Sequence, residues 1–275
     1  IFVPSDTSPQ EVRDCLHEEV AQAMGPLNDL FRLPDSIFND DNFHSVLTGF
    51  DMLMLRAQYA PELRSGMNEA EVATRLPALL ARLNPAGQSR SGAPKQLSTR
   101  TWISAAQTAF GGARASAAAA GQMLSIAKAQ GWTDGRLAFS YFALARSQTG
   151  GNLAQAIGNY TTAAQIWRAQ PGGAIHAAHV DMQLAAFALT AGQFDQVLML
   201  TDRAIPVVKL HQNATLLASL LAMQAEAMEA LGRNSEARAA LLDSLAWARY
   251  AFGSEAQVRA RLGEIAQLGA RGRRG

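Results

Sequence analysis

The sequence predicts a mainly α-helical protein in two parts, and three observations support this prediction. Helix-start signals occur twice in the first part: Ser8 has Glu11 three residues later, which is the pattern of a capping box. Thr48 stands in the same relation to Asp51. Apolar, alanine-rich segments punctuated by glycines fill the second part. A stretch rich in Pro, Gly and Ser, residues 84–94, separates the two parts.

The elements of the first part follow from these local signals. Residues 1–4 are interpreted as the end of a strand. Pro9 follows the cap and suits the first position of a helix, so the first helix is predicted to begin there. The second helix is predicted to open at Thr48 and to stop before Pro61, because the residue that precedes a proline disfavours helical backbone.

The first helix carries a spacing that is typical of metal chemistry. Residues four apart share a helix face, so Glu18 and Gln22 are expected to project together with Glu19 beside them. Gly25 suits the turn that ends such a helix. That turn would bring Asn28 or Asp29, three and four residues after Gly25, back towards Glu18 and Gln22.

Residues 18–29 have the spacing of the metzincin motif H-E-x-x-H-x-x-G-x-x-H, and this first part resembles the zincin proteases. The resemblance implies that Glu19 occupies the position of the general base. The three metal-ligand positions are occupied by Glu18, Gln22 and Asn28, with Asp29 next to the last. A partial, N-terminally incomplete zincin-like α+β domain over residues 1–83 is the implied fold, and the rest of its sheet is expected upstream.

The donor atoms decide between two readings of this motif. Amide oxygens of Gln and Asn are weak, hard donors that suit calcium, magnesium or manganese better than zinc. We therefore expect a domain that has lost zinc catalysis and holds no cofactor. The alternative is a metal-dependent peptidase in which Glu19 activates a water on a divalent cation. Glu18, Gln22 and Asn28 or Asp29 would hold that cation.

The stretch of residues 1–83 also resembles an uncharacterised proteobacterial family whose members are often described as lipoproteins. That resemblance implies a periplasmic or cell-envelope location. Cys15 is the only cysteine, so no disulfide can form within the chain. No apolar run approaches the length of a membrane span, so no transmembrane segment is expected in this chain.

Charge divides the chain at the same place as composition. Residues 1–83 carry 13 acidic and 6 basic residues, whereas residues 84–275 carry 10 acidic and 18 basic residues. The two parts are expected to attract each other. Nucleic-acid binding is not expected, because the positive excess is spread through alanine-rich helices without interleaved aromatic residues. A linker is predicted over residues 84–100 and a repeat domain over residues 101–275.

The repeat domain is predicted from its glycines, which recur at intervals of 39, 41 and 40 residues: Gly112, Gly151, Gly192 and Gly232. After Gly151 come Ala156, Tyr160 and Ala163, which are five, nine and twelve residues further on. This pattern resembles the helical hairpins of tetratricopeptide repeats. The resemblance implies an α-solenoid with lengthened helices, because the period exceeds the usual 34 residues. An irregular helical bundle is the alternative.

Stacked hairpins form a groove that commonly binds peptides or partner proteins. The expected partner is therefore a protein or peptide in this groove, with the missing upstream segment of the same chain as one candidate. His176, His179 and His211 show no metal-ligand pattern and are predicted to be core or surface residues.

The preferred function is an interaction or scaffold protein of the cell envelope with an inactive metalloprotease-like domain. The peptidase described above is the first alternative. The second alternative is a structural subunit of a larger envelope assembly.

Overall fold

A computed structural model of the protein describes residues 3–27, 30–89, 96–111 and 116–274. The described residues are mainly helical, as the sequence predicts. Three α-helices belong to the first part: α1 Pro9–Ala23, α2 Gly49–Gln58 and α3 Glu69–Leu83. Nine more follow a short 3-10 turn over Pro85–Ser89: α4 Arg100–Phe110, α5 Ala117–Ala129, α6 Gly135–Gln148, α7 Leu153–Arg168, α8 Ala174–Thr190, α9 Phe194–Leu210, α10 Ala214–Ala230, α11 Asn234–Phe252 and α12 Glu255–Gly272.

Both predicted helix starts are confirmed. The Ser8 hydroxyl accepts from the Glu11 backbone N–H at 3.3 Å, and the Glu11 carboxylate accepts from the Ser8 N–H at 3.0 Å. Thr48 and Asp51 form the same reciprocal pair at the start of α2. These bonds satisfy N–H groups that have no partner within the helix, which is why each helix begins where it does.

The expected α+β architecture of the first part finds no support. Between residues 3 and 83, the described residues contain helices, irregular segments and a single isolated bridge that joins Leu30 and Asn39. A buried side chain holds part of the irregular segment between α1 and α2. The fully buried Asp51 carboxylate accepts from the Ser36 hydroxyl at 2.5 Å and from the Ile37 N–H at 3.0 Å. Residues 1 and 2 of the predicted strand lie outside the described residues.

The second part consists of consecutive antiparallel helices. The pairs α6–α7, α8–α9 and α10–α11 are joined by tight turns, and neighbouring pairs pack against each other. Two of the predicted glycines, Gly192 and Gly232, adopt left-handed backbone with φ of 71° and 76°. Gly112 lies outside the described residues. The chain is thus a series of helical hairpins, and its kinship with tetratricopeptide repeats remains a prediction.

Small residues let the helices of these hairpins approach closely. The three predicted packing positions on α7 are at most 1% exposed: Ala156, Tyr160 and Ala163. On α11 the pattern is broken, because Leu241 is 42% exposed while Ala237 and Ser244 are buried. The predicted packing pattern is therefore met in full on α7 and only in part on α11.

One row of helices faces the rest of the chain. We call α4, α6, α8 and α10 the first-helix row. The helices α6, α8 and α10 each come first in a hairpin, and α4 contacts α6 as α8 contacts α10. Residues 31–44 lie across α4, α6 and α8, and α12 packs across α8 and α10. The predicted boundaries at 1–83, 84–100 and 101–275 remain predictions.

Replacing Gly192 should show how tightly α12 is docked. A Cβ atom at Gly192 would lie 2.7 Å from the carbonyl oxygen of Gly272, at the end of α12, whereas a Cβ at Gly232 would meet nothing within 4 Å. We expect Gly232→Ala to lower the free energy of unfolding by about 1–2 kcal/mol through backbone strain alone. Gly192→Ala should cost about 1–3 kcal/mol more, because the clash adds overpacking. Urea unfolding of both variants provides the comparison, and equal losses would contradict the tight docking of α12.

Candidate functional site

The sequence-predicted site lies partly on α1. Glu18 and Gln22 are half-buried and Glu19 is exposed on this helix. Asn28 and Asp29 lie outside the described residues. Within the described ranges, no group of three or more His, Cys, Asp or Glu side chains could hold a metal ion. The proposed ligand set therefore remains a prediction.

A second and larger site forms where residues 31–44, which we call the crossing segment, meet the first-helix row. Phe31 meets Trp102 of α4 edge to face, with 5.5 Å between the ring centroids, and stacks on Phe139 of α6 at 6.3 Å. Phe43 packs edge to face against Phe142 of α6 at 5.4 Å. Both anchoring rings are buried, with 8% and 5% of their surface exposed.

The crossing segment holds its shape through local hydrogen bonds. Leu30, which precedes the segment, pairs with residues inside it: the Leu30 N–H donates to the Phe38 carbonyl at 2.8 Å, and the Asp40 N–H donates to the Leu30 carbonyl at 3.0 Å. The Asn39 amide oxygen accepts from the Leu33 N–H at 2.9 Å. The segment is thus a compact loop that presents Phe31 and Phe43 to the helices.

Four of the five histidines converge on this contact, two of them on α8. His176 is fully buried, its ring stacks on Trp167 at 5.1 Å, and its Nε2 lies 3.0 Å from a carboxylate oxygen of Asp41. His179, one turn further on, meets the Phe43 ring at 4.8 Å. The hydrogen bond to Asp41 ties the crossing segment to α8.

The other two histidines extend the same cluster. The Nε2 of His44 lies 3.1 Å from the Pro34 carbonyl oxygen and donates to it, since a carbonyl can only accept. The His44 ring is 5.6 Å from both His176 and His211. The cluster therefore joins the crossing segment, α8 and the end of α9.

Burial keeps most of this cluster neutral. Burial, reinforced by the neighbouring His176 and His44, lowers the pKa of His179 to about 3. Burial also lowers the pKa of His44, with His176 the next cause. The pKa of His211 is lowered in the same way, by burial first and by His44 next. At neutral pH these rings are hydrogen-bonding and packing groups, not charges.

A cavity of about 610 Å³ opens beside the crossing segment, between residues 40–43 and the helices α4, α6 and α8. Its apolar wall is formed by five phenylalanines: Phe31, Phe43, Phe110, Phe139 and Phe142. Its polar lining includes the side chains of Asp40, Asp41, Gln107, Arg146 and His179. The lining thus combines these rings with a comparable number of polar residues, and its volume lies in the range of ligand sites in proteins.

Sequence reasoning missed this site. It predicted core or surface positions for His176 and His179, and nothing in the local pattern linked them to Asp41 and His44, more than 130 residues earlier. The opposite charge of the two parts was the available signal, and it indicated attraction without a location. The site is built by contacts between parts of the chain that are distant in sequence.

The fold and site define a series of helical hairpins whose first-helix row is covered in part by the N-terminal region of the same chain. Residues 1–78 match the sequence model of a family described as "Protein of unknown function (DUF2927)". The expected resemblance of the first part to an uncharacterised family is thereby confirmed. No curated protein and no solved structure matched the chain. None of the described helices is long and apolar enough to cross a membrane.

Acidification should weaken the fold through His179. Because its pKa of about 3 in the folded state lies below the ordinary value of 6.5, its stabilising contribution is complete above pH 6.5 and declines as the pH falls towards 3. We expect this one group to remove about 2 kcal/mol of unfolding free energy between pH 7 and pH 5. Urea unfolding at both pH values should show a smaller difference for His179→Gln than for the wild type.

Gln107→Ala is the matched control for this pH measurement, because Gln107 lines the same cavity but does not titrate. It should keep the wild-type pH dependence. If His179→Gln also keeps the full wild-type difference, the expected role of His179 in acid sensitivity is wrong.

Proposed function

We propose that the protein is an interaction protein of the cell envelope whose first-helix row binds polypeptide. One observation carries this proposal: the row already holds a polypeptide, the crossing segment of its own chain. Phe31 and Phe43 anchor that segment on α4, α6 and α8. The first part of the chain acts as a binding partner of the helices, and the proposal assigns no catalytic role to Glu19.

The chemistry of the contact supports binding. Aromatic residues that are buried in pockets supply most of the energy of protein interfaces, and a buried phenylalanine contributes about 1.5–3 kcal/mol. Phe43 enters a pocket that Phe142, Trp167 and His176 form, with centroid distances of 4.5–5.8 Å among these rings. The Asp41–His176 hydrogen bond adds direction to this apolar contact.

The other end of the row is covered by α12. Ile265 is buried, and Leu262 and Leu268 pack beside it against apolar residues of α8, α9 and α10. Arg273 pairs with Glu226 of α10 at 2.9 Å. The predicted partner in the repeat groove is therefore proposed for the remaining open part of the row, the cavity at α4 and α6.

The envelope location rests on the resemblance of the first part to lipoprotein-like sequences. The charge asymmetry supports an interaction role, because an acidic segment lies on a basic array.

A synthetic peptide of residues 30–45 tests whether the row is a polypeptide-binding surface. The wild-type chain holds its own copy of this sequence at high effective concentration, so added peptide should compete poorly. Phe43→Ala removes the main anchor at a cost of about 3–5 kcal/mol and should free the surface. We expect calorimetric titration to show peptide binding to full-length Phe43→Ala that is at least about tenfold tighter than to the wild type.

Phe38→Ala is the matched control. Phe38 is also buried in the crossing segment, but it packs on Ala21, Ile37 and Leu55 of the first part and not on the helical row. Peptide binding to Phe38→Ala should stay at the wild-type level. The proposal is wrong if the peptide fails to bind Phe43→Ala, or if both variants bind it equally well.

A further inference from the structure

We propose that the cavity beside residues 40–43 binds a peptide that carries an aromatic side chain next to an acidic one, and that Arg146 selects for the acid. This inference rests on the proposed function and adds the chemistry of the ligand. It concerns the open part of the first-helix row, next to the polypeptide that the row already holds.

The aromatic wall has the geometry of a stacking surface. Phe110 and Phe139 are nearly parallel, with an interplanar angle of 5° and centroids 4.7 Å apart. Phe142 continues the stack at 6.3 Å from Phe110 and at 14°. An inserted ring can pack against the face or edge of these rings, which favours aromatic over aliphatic side chains.

Arg146 supplies a cation at the edge of this wall. Its guanidinium lies 5.5 Å from the centroid of the Phe110 ring, in cation–π contact with the aromatic surface. A guanidinium positioned in this way can pair with a carboxylate through two parallel hydrogen bonds.

The opposite wall fixes the orientation of the ligand. The Asp41 carboxylate is already engaged, because it accepts from His176 at 3.0 Å and from the Asn39 amide. Its negative charge repels a second carboxylate at that wall. The acidic group of the ligand must therefore lie at the Arg146 side, with its aromatic ring between the two walls.

His179 offers the ligand a polar contact at the inner end of the cavity. Its Nε2 is buried and has no hydrogen-bond partner among the described residues. A buried polar atom without a partner destabilises a structure, so a ligand group that hydrogen-bonds to it gains affinity. A backbone amide of a bound peptide has the required donor and acceptor.

The crossing segment combines the same two kinds of side chain. Its Phe31 and Phe43 pack on the row, and its Asp40 and Asp41 line the cavity. A partner that repeats an aromatic–acidic pattern would extend the existing contact along α4 and α6.

Calorimetric titration of the full-length protein with three unlabelled Gly/Ser-based peptides tests the inference. The first carries one phenylalanine followed by two aspartates, the second replaces the aspartates with lysines, and the third replaces the phenylalanine with alanine. At low salt, we expect the wild type to bind the first peptide at least about tenfold more tightly than the others. Arg146→Glu should reverse the order of the first two peptides.

Arg259→Glu is the matched control, because it makes the same change of charge at an exposed position of α12. It should leave the order of the three peptides unchanged. Equal binding of the lysine peptide to the wild type would overturn the inference, and so would equal effects of the two arginine variants. If none of the three binds while the 30–45 peptide still binds Phe43→Ala, the ligand class is wrong and the proposed function stands.

Discussion

The packing of Phe43 between three helices is the contact on which the rest of the structure depends. Its ring touches Phe142 of α6, Trp167 of α7 and His176 of α8, so one side chain of the first part joins two neighbouring hairpins. Removing an aromatic ring from water in this way is a large, non-directional stabilisation. The hydrogen bond between Asp41 and His176 adds the direction that the apolar contact lacks, because a buried carboxylate without a partner is costly.

The same contact explains why the first-helix row is partly closed. An exposed row of apolar and aromatic side chains would be prone to non-specific association. The crossing segment covers α4, α6 and α8 at one end, and α12 covers α8 and α10 at the other. Within the array, the buried Asp181 accepts from both Arg168 and Arg203 and so links α7, α8 and α9. What remains open is a cavity lined by five phenylalanines, with Arg146 among its polar residues.

Much of the helical framework could be predicted from the sequence, because the signals are local. Ser8 and Thr48 start helices through bonds to residues three positions later, and Gly192 and Gly232 close hairpins through backbone conformations that other residues adopt at a cost. The α+β expectation for the first part gained no support, and it rested on a motif spacing that lies largely on one helix, α1. Spacing on a single helix carries no information about strands elsewhere in the domain.

The sequence by itself determined where helices begin, which glycines turn the chain, and that an acidic part precedes a basic one. The tertiary structure alone decided that Phe43, His44 and Asp41 meet His176 and that a cavity forms beside them. The physical reason is the separation in sequence between the residues that interact. Capping and turn formation involve residues a few positions apart, so the local pattern specifies them. Burial of an aromatic ring against three helices depends on the relative placement of segments separated by more than a hundred residues, which only the folded chain defines.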